Sequence, residues 1–140
     1  MNVLITGGTG YIGTRFIPAL IGREHSVRAL VRPQSAARLP ARAIAVRGNA
    51  LDAASVAAAL NPDDTLVHLV GTPHPNPSKA DEFERVDLAS IRASVAAAAE
   101  RRIPHLVYVS VAHPAPVMRA YIARSPAAAS RASPSVRAAM

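Results

Sequence analysis

The sequence predicts an α/β fold, a doubly wound parallel sheet of about five strands in the order 3-2-1-4-5 with helices on both faces. Two observations predict it. Short β-rich runs alternate with helical stretches up to about residue 110, the pattern of a parallel sheet covered on both sides. An apolar run at residues 2–6 also breaks into a glycine-rich turn, Gly7-Gly8-Thr9-Gly10-Tyr11-Ile12-Gly13, that leads directly into an amphipathic stretch.

Taken in order, residues 2–6 form the first strand, ending at the glycine turn. Ile12, Phe16, Ile17, Leu20 and Ile21 then recur at helical spacing, with Gly22 placed to stop the helix. Pro18 falls inside this helix, where it removes a donor and costs or bends a turn, so the helix rests on periodicity in spite of it. Residues 26–31 read as the second strand, 34–39 as a short or irregular crossover and 43–46 as the third strand. A helix over 53–60 is capped by Asp52, and 65–70 is the fourth strand. Pro73, Pro75 and Pro77 stiffen the next loop and rule out helix there. A long helix over 80–102 carries an apolar stripe of Val86, Ile91, Val95 and Ala98 and is ended by Pro104. Residues 105–110 are the fifth strand, apolar enough to sit centrally in a larger sheet.

Composition narrows the function classes. The chain has 140 residues, half of them apolar, enough for one domain with its own core. It has no cysteine, which excludes disulfides and thiolate chemistry and fits a reducing cytoplasm. The five histidines, His25, His68, His74, His105 and His113, match no usual ligand spacing, so no metal is expected. No apolar stretch nears the roughly 20 residues of a membrane span, and a cytoplasmic protein is expected. The net charge of +7 is unevenly placed: ten basic against nine acidic residues up to Glu100 leave +1, and six arginines beyond it add the rest. Such a distribution argues against a nucleic-acid partner.

Glycine repeats alone are weak signals, but this one follows a strand and opens a helix, as the Rossmann dinucleotide fingerprint requires. Gly7 permits the tight turn, Gly10 the close approach of backbone to pyrophosphate and Gly13 the packing of helix on strand, while the amides around Tyr11 and Ile12 head the helix. An NTPase phosphate loop is disfavoured, because Thr14 and Arg15 stand where its Lys and Ser/Thr would be. The second strand ends in Leu30-Val31-Arg32 without the Asp or Glu that would bind a ribose 2′-hydroxyl. Arg32 can pair with a 2′-phosphate, so NADP(H) is favoured over NAD(H).

With Gly48-Asn49-Ala50-Leu51-Asp52 and Tyr108-Val109-Ser110 added to the glycine turn, the chain resembles the short-chain dehydrogenase/reductase superfamily. Within it, the chain is most similar to the extended and atypical branch of NmrA-like proteins and NAD-dependent epimerase/dehydratase domains, from residue 1 to about 124. The resemblance implies that Asn49, with Ala50, stands where the family's acid meets the adenine, and that Val70, Gly71 and Thr72 lie beside the cofactor ribose and nicotinamide. It implies chemistry by a Ser after the fifth strand and a Tyr-x-x-x-Lys pair. Ser110 and Tyr121 match, but Ser125 stands in place of the lysine and Arg124 one position earlier. Arg124 could stabilise a tyrosinate electrostatically but could not relay a proton. His68 is read as a packed strand residue in preference to a catalytic one.

The resulting expectation is an NAD(P)-binding domain of an atypical short-chain dehydrogenase/reductase over residues 1–124, derived from an oxidoreductase acting on a small-molecule substrate. The alternative is a non-catalytic dinucleotide-sensing or assembly module with a protein partner. In residues 125–140, fourteen of sixteen positions are Ala, Ser, Pro or Arg, and this tail is expected to be poorly ordered or weakly helical, as a truncated or out-of-frame ending would be. The fifth strand would then be an open sheet edge available for self-association.

Overall fold

A computed structural model of the chain describes residues 1–73, 77–109 and 136–139. Its strands are β1 (Asn2–Thr6), β2 (Ser26–Val31), β3 (Ile44–Arg47), β4 (Asp64–His68), β5 (His105–Val109) and β6 (Val136–Ala139). They form one sheet in the order β3-β2-β1-β4-β5-β6, with every neighbouring pair parallel. The predicted five-strand order is therefore present, and β6 extends it. Residues 136–139 of the expected tail form a strand, the rest of residues 125–140 lies outside the described residues, and among the described residues β5 is not the open edge. The reason is physical: an unpaired strand edge accepts backbone from a segment of almost any composition.

Alternation along the strands builds two cores. Val3 and Ile5 of β1, Val27, Ala29 and Val31 of β2 and Val67 of β4 face helix α1 (Gly13–Gly22), with Leu20, Ile21 and Leu39 packed against them. Leu4, Leu30, Leu66 and Leu106 point the other way, onto helices α2 (Ala53–Ala59) and α4 (Ala89–Arg101). This face-by-face division is what right-handed crossovers of parallel strands require. At the amino ends of the strands, buried Asp64 pairs with Arg28, whose second nitrogen donates to the Ala59 carbonyl at 2.9 Å.

α1 keeps Pro18 on its exposed side, where water can take the carbonyl left without a partner. The helix ends at Gly22 as predicted, but the left-handed residue that reverses the chain is Glu24, at φ 63°. The crossover after β2 is a 3₁₀ turn, Pro33–Arg38. Asp52 caps α2 by accepting from the Ala54 amide at 3.1 Å.

The long helix departs from its predicted form. It runs as α3 (Ala80–Phe83), a π turn (Glu84–Leu88) and α4. A π turn holds one residue more than an α turn, so side chains beyond it are rotated out of the simple helical repeat. Ile91, Val95 and Ala98 are buried as predicted, but Phe83 and Leu88 join the interior and Val86 is only half-buried.

Candidate functional site

A cleft of about 270 Å³ opens at the carboxyl ends of β1, β2 and β4, where the strand order reverses and a parallel sheet offers its natural crevice. Gly7 and Thr9 form its floor. Leu30, Val31, Arg32 and Ser35 wall one side, residues 48–51 another, and Val70 and Val86 the far end. No carboxylate lines it among the described residues.

The floor is backbone set against backbone. Gly7 sits at φ +78°, and a Cβ there would lie 2.6 Å from the Leu69 carbonyl carbon. A Cβ on Gly13 would lie 2.5 Å from the Gly8 oxygen, so α1 touches the turn with no side chain between them. The turn is closed by Gly10 N donating to Gly7 O at 3.1 Å and Thr14 N to Gly10 O at 3.0 Å. The amides of Tyr11, Ile12 and Gly13 head α1, which has no side-chain cap and no acidic residue in its first turn. An uncapped, positively polarised helix start of this kind suits an anion. Tyr11 itself is exposed, with the Arg15 guanidinium 3.9 Å over its ring.

Of the sequence-predicted site residues, Gly7, Arg32, Asn49, Ala50 and Val70 meet in the cleft. Gly71 and Thr72 continue from Val70, whereas Gly10, Tyr11, Ile12 and Gly13 form the adjoining turn and do not line the cleft. Ser110, Tyr121 and Arg124 lie outside the described residues. The Asn49 side-chain Oδ1 already accepts from the Leu51 amide at 3.0 Å and keeps a second lone pair, beside the side chain's NH₂. Asn49 N donates to Ser55 Oγ at 2.8 Å, and a Cβ on Gly48 would lie 2.6 Å from that same oxygen.

Sequence reasoning missed Ser35, Arg38, Gly48, Ser55, Val86 and Asp87. Ser35 is buried in the cleft wall, and Arg38 donates to its hydroxyl at 3.1 Å. A signal for these two existed: Ser35 and Arg38 stand three residues apart after Pro33, the spacing that stacks side chains along a 3₁₀ turn.

Beneath the cleft, Thr6, His68 and Tyr108 lie in register across β1, β4 and β5. His68 is 1% exposed. Its Nδ1 is 2.9 Å from Thr6 Oγ1 and 3.0 Å from Ser94 Oγ, its Nε2 3.4 Å from Ser90 Oγ. The Ser90 hydroxyl donates to the Asp87 carbonyl at 3.1 Å, which assigns the ring proton to Nε2 and leaves Nδ1 as acceptor. Burial pulls the imidazole down from 6.5 to about 4. His68 is thus a neutral packed residue of the strand, in keeping with the sequence reading.

The described residues hold no group of three or more His, Cys, Asp or Glu arranged for a metal, and no helix among them is long and apolar enough to cross a membrane.

Comparison with known proteins gives the following. The NAD(P)H-binding family model matches residues 7–132. A 4-hydroxy-2-methyl-3-oxo-4-farnesyl-3,4-dihydroquinoline-1-oxide ketoreductase of Stigmatella aurantiaca is 32% identical over 112 residues, 79% of this chain and 33% of that protein. A nucleoside-diphosphate-sugar epimerase structure from Staphylococcus aureus superposes with a TM-score of 0.74 at 20% identity, over 99% of this chain and 49% of that one. A Bordetella bronchiseptica enzyme in complex with NAD+ gives 0.73 at 18% identity, over 98% of this chain and 54% of that one. The chain spans about a third of the length of the ketoreductase and about half of the two structures.

Proposed function

We infer, from the fact that this chain belongs to the NAD(P)H-binding family and from the residues at the end of β2, that its cleft takes NADP(H) in preference to NAD(H). Binding of a dinucleotide is the family's property, and the chain is an NAD(P)-binding domain of the short-chain dehydrogenase/reductase and epimerase type. The cofactor choice rests on one observation. Arg32 and Ser35 line the cleft side by side, Arg38 holds the Ser35 hydroxyl, and no carboxylate stands among them. The Arg32 guanidinium beside the Ser35 hydroxyl suits a phosphate dianion, and the missing carboxylate removes the usual partner of a free 2′-hydroxyl.

The residues present fit the cofactor elsewhere too. The uncapped start of α1 receives the pyrophosphate on its amides, Gly7 and Gly13 let backbone approach where a Cβ would not fit, and Asn49 with Ala50 meets the adenine edge. A bound dinucleotide supplies hydride chemistry; the chain orients it and keeps its adenosine end fixed. In this reading the dinucleotide unit occupies residues 1–124, and Ser110, Tyr121 and Arg124 are its candidates for handling a proton on a small-molecule substrate.

Calorimetric titration with NADPH, NADP+, NADH and NAD+ tests it. NADPH should bind more tightly than NADH, and Arg32→Ala should weaken NADPH by about tenfold or more, the size of a charge-assisted contact, while leaving NADH nearly unchanged. Tighter NADH than NADPH in the wild-type chain would overturn the NADP(H) preference.

A further inference from the structure

We propose that Asp87 is a positioning residue that holds the segment 71–72 in place and thereby seats the nicotinamide half of the cofactor, independently of the adenosine half. The proposal rests on the dinucleotide reading above. The adenosine side of the cleft is set by β2, β3 and the loops after them. The same cleft is also lined by Val70, just after β4, and by Val86, across the strand-order reversal from β2. The half of the ligand beyond the pyrophosphate therefore lies against the end of β4.

Asp87 controls that wall from a helix fifteen residues away in sequence. Its Oδ2 accepts from the Thr72 amide at 2.9 Å and also from the Thr72 hydroxyl, and a Cβ on Gly71 would stand 3.5 Å from its Oδ1. The π turn sets this arrangement: Val86 and Asp87 both belong to it, so one turn sends Val86 to the cleft and the Asp87 carboxylate to the backbone after β4. Asp87 is braced in turn. Its carbonyl accepts from Ser90, which meets His68, which meets Thr6 at the end of β1. The segment 71–72 has no regular secondary structure, so these contacts define its path.

The experiment compares binding of NADPH with binding of 2′,5′-ADP, which carries only the adenosine half, to the full chain. Asp87→Ala should weaken NADPH about tenfold, the equivalent of one charge-assisted hydrogen bond, and leave 2′,5′-ADP within about twofold. Thr72→Val, which removes only the hydroxyl, should shift NADPH in the same direction by less and carries the comparison if Asp87→Ala does not fold. Asp87→Asn, whose carbonyl can still accept from the Thr72 amide, should restore most of the NADPH affinity. Equal loss on both probes, or no loss on either, would overturn the positioning role. A wild-type chain that bound neither probe would instead sink the dinucleotide reading itself.

Discussion

The buried imidazole of His68 makes acid stability a sharp test of the sheet's interior. Burial holds its pKa near 4, against 6.5 when exposed. Between those values the unfolded chain takes a proton that the folded chain refuses, so stability is complete above about pH 6.5 and is lost as pH falls toward 4. With these two values, the loss at pH 5 relative to pH 8 is about 2 kcal/mol, and about 3 kcal/mol below pH 4. Domains of this size hold about 5–15 kcal/mol in total, so 2 kcal/mol would lower Tm by roughly 6–10 °C. Urea unfolding followed by circular dichroism at pH 8, 6.5 and 5 measures it. His68→Gln cannot titrate, so its stability should start lower at pH 8 but fall less across the same interval, the gap between the two curves narrowing by about 2 kcal/mol. Parallel curves for the two proteins would refute the assignment of a neutral His68 buried among Thr6, Ser90 and Ser94.

Other outcomes follow from contacts at the turn and at the far end of the strands. Gly13→Ala forces a Cβ against the Gly8 backbone and should abolish dinucleotide binding while costing about 1–3 kcal/mol or more; Gly22→Ala meets nothing within 4 Å and should stabilise by about 0.5–1 kcal/mol, both read by thermal unfolding. Asp64→Ala leaves Arg28 without its buried partner and should cost about 3 kcal/mol with no change in the ratio of NADPH to NADH affinity.

Much of the fold was legible because it is written in local signals. The bounds of β1 and β2 coincide with apolar runs ending at glycine or arginine, and α2 begins where Asp52 can cap it. Less legible were features that depend on distant partners. β4 was read as 65–70 but spans Asp64–His68, since Asp64 joins the ladder opposite Asn2 through its pairing and not through apolarity. The π turn was invisible because periodicity arguments assume 3.6 residues per turn, and that assumption placed Val86 in the interior stripe and not in the cleft wall. Asp87 left no sequence signal, because its partner Thr72 is brought to it by the turn itself. At the site, the glycine turn was readable as a strand-to-helix junction, whereas the contact of Arg38 with Ser35 depends on the 3₁₀ geometry of Pro33–Arg38.

The contact of Gly13 with Gly8, and of Gly7 with the backbone of residues 69–70, bears on how such a protein can change. A cradle made of main chain alone offers no side chain to exchange, so its shape is inherited whole or lost whole. On the proposed reading it meets the pyrophosphate, which every nicotinamide dinucleotide shares, and so would carry no means of telling one from another. On that same reading, freedom to retune the protein lies at its borders: the short turn after β2 for the cofactor, and the helix carrying Val86 and Asp87 for what meets the cofactor's other end.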